Sequence, residues 1–119
     1  MKKKYSRIAK HIIIDSEDRT VEWGEDGIDI TLKYMQSVVG GLITSAPSDI
    51  IKYPDYMFVD DDGWLQSPAF GFKLGDSEYC IGDAIIVGDE IEYKGGVGYK
   101  DVVTDIEEVR KNIKWLWFK

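Results

Sequence analysis

At 119 residues the chain is long enough for one domain and too short for two ordinary ones. A chain of this size buries about two-thirds of its unfolded surface, so no metal or disulfide staple is needed, and the single Cys80 could close no internal disulfide in any case. Its 22 acids against 15 bases leave a net charge of −7, which excludes a general nucleic-acid binder and a surface drawn to anionic membrane.

The basic start Met1-Lys2-Lys3-Lys4 is not followed by a signal-peptide core, because the apolar run Ile12-Ile13-Ile14 stops at Asp15. A cytoplasmic location is expected. The β-branched triplet within Ile8 to Asp15 predicts a first strand, Ser16-Glu17-Asp18-Arg19 a polar turn, and Thr20-Val21-Glu22-Trp23 the return strand of a hairpin. Gly24-Glu25-Asp26-Gly27 breaks it. A short helix follows, with Thr31 as its N-cap and Ile30 and Met35 at the staple positions. Leu32, Met35, Val38 and Val39 recur at helical spacing as one apolar face. Gly40 supplies a left-handed stop, and Gly41 frees the chain to turn.

Leu42 to Ala46 reads as a strand and Tyr56 to Asp60 as another, with Asp61-Asp62-Gly63 as a tight turn. Ser67-Pro68-Ala69-Phe70-Gly71 is expected to be a helical turn or loop. Tyr79 to Val87 reads as a strand interrupted at Gly82-Asp83, and the continuously apolar Ala84-Ile85-Ile86-Val87 predicts a central strand covered on both faces. Ile91-Glu92-Tyr93 prolongs this hairpin region, and residues 94–100 read as a glycine-rich loop. Asp105 caps a final helix that carries Ile106, Val109, Ile113 and Leu116 on one face. The fold class is α+β: a mainly antiparallel sheet packed by one short central helix and a C-terminal helix, in a single domain spanning 1–119.

The stretch Leu32-Lys33-Tyr34-Met35-Gln36-Ser37-Val38-Val39-Gly40-Gly41 resembles a motif of a small uncharacterised family found mainly in bacteriophages, plasmids and other bacterial mobile elements. Val59-Asp60-Asp61-Asp62-Gly63-Trp64-Leu65 is similar to the acidic turn of that family, and Ile81-Gly82-Asp83-Ala84-Ile85-Ile86-Val87-Gly88 to its last strand. The resemblance covers about residues 10–90 and leaves a C-terminal helical extension, about 104–119, outside it. Where the family often has Pro-Asn, this chain has Ser67-Pro68-Ala69, so no role of that Asn passes to it. The resemblance implies a small α+β domain of viral or mobile-element origin with no assigned reaction.

His11 is the only histidine, which excludes a multi-histidine metal site. Cys80 with His11 would be the sole nucleophile–base pair, but an apolar strand setting makes Cys80 read as a small hydrophobe. Asp60-Asp61-Asp62-Gly63 fails as a calcium loop, because a sixth-position Gly63 puts Phe58 at the first ligand position. The acid pairs Asp76/Glu78 and Asp89/Glu90 read as charges covering a sheet edge. No catalytic residue, metal or cofactor is expected. Candidate ligand or partner contacts are Trp64, Gln66, Ser67 and Phe70, which mix aromatic and polar groups, and Lys94 and Lys100, which flank the glycines of a loop able to cradle one phosphate. Trp115, Trp117 and Phe118 form a candidate oligomer interface.

These readings favour a non-enzymatic binding protein of a phage or mobile element, acting in the host bacterial cytoplasm. Counter-defence is expected, by sequestering a small nucleotide signal or binding a host protein. The alternatives are an acidic DNA mimic that inhibits a host DNA-binding protein and a small hydrolase.

Overall fold

The computed structural model describes residues 9–61, 69–93 and 96–118. Strand β1 (Ile12–Asp15) pairs antiparallel with β2 (Thr20–Trp23), Ile14 opposite Val21. The polar turn between them is closed by the Asp18 N–H, which donates to the Asp15 carboxylate at 3.0 Å. Helix α1 (Leu32–Val39) has the caps expected of it. Thr31 Oγ1 accepts from the Tyr34 N–H at 3.0 Å, and Gly40 closes the helix at φ 92°, its N–H donating to the Gln36 carbonyl at 2.8 Å.

Ile30, Met35 and Val39 are buried as expected, whereas Leu32 is 57% exposed. The first turn of α1 is anchored by Tyr34 instead, whose ring packs with the same cluster and whose hydroxyl bonds to His11.

The remaining elements are β3 (Ile43–Ser45), β4 (Tyr56–Asp60), β5 (Ala69–Leu74), β6 (Cys80–Ile81), β7 (Ala84–Val87), β8 (Glu90–Tyr93), β9 (Gly96–Tyr99), α2 (Ile106–Asn112) and β10 (Ile113–Phe118). Every strand pairing among the described residues is antiparallel. A five-stranded sheet has the order β2-β1-β7-β4-β3, a three-stranded sheet the order β10-β5-β6, and β8 with β9 forms a separate hairpin. The fold is α+β.

Side chains alternate across the five-stranded sheet, so each face carries its own core. Ile12, Ile14, Met57, Val59 and Ile86 point to one side, where Phe72 and Leu74 of the second sheet and Ile106 and Val109 of α2 meet them. Ile85 and Val87 point to the other side, against Ile30, Met35 and Val39 of the α1 region. Strand β7 is therefore the central, doubly covered strand that its apolar run predicts.

Three stretches differ from expectation. Ala69 opens β5 rather than ending a loop, and Phe70 lies inside that strand. Gly96–Tyr99 is a strand, because glycines pair as β9 against the alternating Glu90–Tyr93. The C-terminal helix stops at Asn112, whose side-chain amide donates to the Glu108 carbonyl at 2.8 Å. Ile113–Phe118 then runs as β10 beside β5 rather than continuing a helical extension to 119. The run Ile-Lys-Trp-Leu-Trp-Phe is β-branched and aromatic, and its period of two, with Ile113 and Trp115 packed on the core, prevails over the helical spacing of Val109, Ile113 and Leu116. The Asp62-Gly63 turn lies outside the described residues.

Candidate functional site

A five-stranded sheet has two edges, and unpaired edge groups must be covered or used. In an antiparallel ladder alternate residues turn their N–H and C=O groups toward the neighbour, and the residues between turn them away. On β2, the Gly24 N–H donates to the His11 carbonyl at 2.7 Å, which fixes the parity and turns Val21 and Trp23 outward. The outward Val21 carbonyl is met by Arg110 of α2, whose Nε donates to it at 2.9 Å. Arg110 also pairs with Glu22 at 3.2 Å and Glu107 at 2.7 Å. That edge is covered.

The other edge is β3. The Ala46 N–H donates to the Met57 carbonyl at 2.9 Å and the Asp61 N–H to the Leu42 carbonyl at 2.8 Å. With Thr44 opposite Val59, the backbone groups of Leu42, Thr44 and Ala46 face β4, and those of Ile43 and Ser45 face outward. Among the described residues no strand lies on that side.

Three hollows surround this edge, and Ser45 lines all of them. The largest, about 700 Å³, lies on the face shared by Thr44, Ala46 and Val59 and is bounded across by the β5–β6 connection. Five acidic residues line it: Asp49, Asp60, Asp61, Asp76 and Glu78. A second, about 300 Å³, lies at the strand ends beside Tyr53, Tyr56 and Asp55. The third, about 370 Å³, opens on the opposite face of the sheet between Tyr56, Phe58, Asp89, Glu90 and Tyr99. No Lys, Arg or His is among the described residues that line any of the three.

Local bonds explain why the walls hold their shape. Asp49 and Asp76 clasp each other: each carboxylate accepts from the other's backbone N–H, at 3.0 and 2.7 Å. Ser48 Oγ donates to the Leu74 carbonyl at 2.8 Å, fastening the same loop to β5. Buried Asp55 accepts from the Val103 N–H at 2.9 Å and the Thr104 N–H at 2.7 Å, tying the second hollow to the segment before α2.

Cys80 closes the back of the large hollow and is buried. Burial pushes its thiol up to about 11; the Ser77 hydroxyl pulls it down and the Glu78 charge pushes it up further. Its Sγ donates to the Glu78 carbonyl at 3.4 Å. His11 is occupied elsewhere: Nδ1 faces the Ala9 carbonyl at 2.9 Å and Nε2 the Tyr34 hydroxyl at 2.8 Å. A carbonyl only accepts, so Nδ1 carries the proton, and in the neutral ring Nε2 accepts from Tyr34. Neither group is arranged as the other's catalytic partner. Among the described residues no cluster of three or more His, Cys, Asp or Glu is placed to hold a metal.

Of the candidate contacts taken from sequence, Trp64, Gln66, Ser67 and Lys94 lie outside the described residues. Phe70 is half-buried in β5 and stacks on Trp117 of β10, centroids 6.2 Å apart and planes 10° off parallel. Lys100 is exposed, and its backbone N–H holds the Asp89 carbonyl at 2.8 Å. Trp115 packs against the main core, Trp117 is 53% exposed, and Phe118 is the last residue of β10. Sequence reasoning did not single out Ile43, Ser45, Tyr56 or Tyr99. Ile43 and Ser45 offer only a three-residue strand between two loops, whose edge position depends on pairings distant in the chain, and Tyr56 and Tyr99 lie on β4 and β9, which only the tertiary fold brings beside it.

No family model, curated protein or solved structure matches this chain. No helix among the described residues is long and apolar enough to cross a membrane.

Proposed function

We propose that the protein is a non-enzymatic binding protein that captures an extended, basic segment of another protein by strand addition to β3. The observation that carries this reading is the outward-facing backbone of Ile43 and Ser45, set between hollows that the described residues line with carboxylates and no bases. An added strand gains main-chain hydrogen bonds from the edge and sends alternate side chains to the two faces of the sheet. Here one set would enter the large acidic hollow and the other the hollow beside Tyr56 and Phe58. Tyrosine suits such a surface, because it buries area while its hydroxyl stays wet.

The same carboxylates oppose a phosphate, so a host protein fits these hollows better than a nucleotide signal. An acid-array DNA mimic is the weaker alternative, since Arg110 and Lys111 sit among Glu22, Glu107 and Glu108 on the α2 side. A cysteine hydrolase is weaker still, given a thiol near 11. The mobile-element setting and a counter-defence role rest on the resemblance of the Leu32–Gly41 stretch.

The test is amide exchange by NMR against a panel of extended eight-residue peptides, Lys/Arg-rich and Asp/Glu-rich, and a panel of cyclic nucleotides. Basic peptides should protect the Ile43 and Ser45 amides and leave the β2 edge unchanged. Protection by none of the basic peptides, or saturable binding of a nucleotide in its place, overturns the reading.

A further inference from the structure

The hollow of about 370 Å³ on the α1 face of the β3 edge differs in chemistry from the other two. Tyr56 and Phe58 are two apart on β4, so both side chains stand on the same face. Their rings lie near-parallel, 22° off, with centroids 6.1 Å apart, and form one continuous aromatic wall. Tyr99 of β9 lines the same space, as do the acids Asp89 and Glu90 at the start of the hairpin. Glu90 stands opposite Tyr99 in the β8–β9 register. Burial and the Glu90 charge together push the Tyr99 phenol up, so Tyr99 presents a neutral ring at physiological pH.

An aromatic face carries the negative end of the ring quadrupole and attracts a cation within about 6 Å of its centroid. Two carboxylates at the rim add long-range attraction for the same charge. An apolar ligand would gain from the rings but would strip water from Asp89 and Glu90 without compensation, and an anion would be repelled. The one chemistry that satisfies both walls is a cation with an apolar skin. We infer that Tyr56, Phe58 and Tyr99 with Asp89 and Glu90 form a cage for an alkylated ammonium head.

Such a head has two sources, a free quaternary amine or a methylated lysine side chain of a bound strand. The second rests on the reading of β3 as a pairing edge, since a residue added beside Ser45 on this face would deliver its side chain here. The cage itself requires no strand pairing. A small quaternary ion has no backbone to pair, so its binding and the protection of Ile43 and Ser45 succeed or fail separately.

The probe is tetramethylammonium chloride, titrated into the protein with its methyl protons followed by NMR. Seating over ring faces should shift the methyl signal upfield in a saturable way. Choline should bind, and its uncharged isostere 3,3-dimethylbutan-1-ol should bind at least fivefold more weakly. Tyr56→Phe should retain the affinity. Tyr56→Leu, which keeps apolar bulk but removes the ring, should lower it about fivefold or more, the range of a partly desolvated cation–π contact. Tyr56 is about half exposed, so both variants should fold, as an unchanged amide spectrum away from the site would show. A trimethyl-lysine peptide that outcompetes choline identifies the strand as the source, and the reverse order identifies a free amine. No upfield shift, equal binding of the neutral isostere, or indifference to Tyr56→Leu overturns the cage.

Discussion

At the scale of single residues, His11 shows how a lone histidine becomes structural. It is 1% exposed, edge-on to the Tyr34 ring at 5.4 Å, and hydrogen-bonded through both nitrogens. Gly24 makes room for it: a Cβ built on Gly24 would lie 1.9 Å from His11 Nε2. Gly24→Ala should therefore displace the ring, break its two bonds and lower stability by about 2–4 kcal/mol, read as a fall in the urea midpoint. Cys80 makes a matching prediction about reactivity. With its thiol near 11, about one molecule in a thousand is ionised at pH 8, so iodoacetamide should leave native Cys80 unmodified over an hour and alkylate it rapidly in 6 M guanidinium.

Asp83 couples a residue to pH. Burial pushes its carboxyl above the ordinary aspartate value; the Ser16 N–H bond at 2.9 Å pulls it down, and Asp15, Glu17 and Asp18 push it up again. A carboxyl pKa raised by folding favours the native state at acid pH, and that contribution is lost as pH rises through the raised value. Asp83→Asn keeps an oxygen for Ser16 and sheds the charge. Its thermal midpoint should exceed the wild-type midpoint at pH 7, with the gap closing as pH falls below the raised pKa. A gap that persists at acid pH would show that the gain has another cause.

At the scale of elements, legibility followed the range of the interactions. Helix α1 was readable because Thr31, Met35 and Gly40 act within a few residues of one another. The hairpin β1–β2 and the doubly covered β7 were readable for the same reason, the first from its turn and the second from its unbroken apolar run. Strand β10 was not, because Val109, Ile113 and Leu116 satisfy a helical period while Ile113, Trp115 and Trp117 satisfy a strand period. The choice is made by β5, about forty residues upstream, whose Phe72 and Leu74 pair opposite Trp115 and Ile113. The candidate site was least legible of all. An edge is defined by which strand is missing beside it, and no local pattern at Ile43–Ser45 encodes that.

The covering of β2 by Arg110 is an element-scale device. The guanidinium satisfies an outward carbonyl and places two acids beside the strand. Arg110→Ala should expose the Val21 carbonyl and lower stability by about 1–2 kcal/mol, measured by chemical denaturation. Arg110→Lys should recover little of it, because an ammonium cannot bond the carbonyl and hold both acids in the same planar geometry.

At the scale of the whole molecule, charge is distributed unevenly with respect to edges. The β2 edge is neutralised by Arg110, while the described walls around β3 carry carboxylates alone. Five of those acids fall into two kinds. Asp49, Asp76 and Asp55 accept backbone N–H bonds that hold the hollows open, so reversing them would damage the walls themselves. Asp61 and Glu78 are exposed, and their carboxylates take no part in the clasp between Asp49 and Asp76 or in the bonds that Asp55 makes. The double variant Asp61→Lys, Glu78→Lys should thus keep the wild-type melting temperature within a few degrees and weaken a basic peptide at β3 by about tenfold or more. Raising salt from 0.05 to 0.5 M, which shortens the screening length to well under 10 Å, should weaken wild-type binding chiefly through a slower association rate. It should leave the double variant nearly indifferent to salt. Equal salt dependence in both proteins would mean that the field steering the partner comes from elsewhere on the molecule, and the acid-walled edge would lose its claim to be the recognition surface.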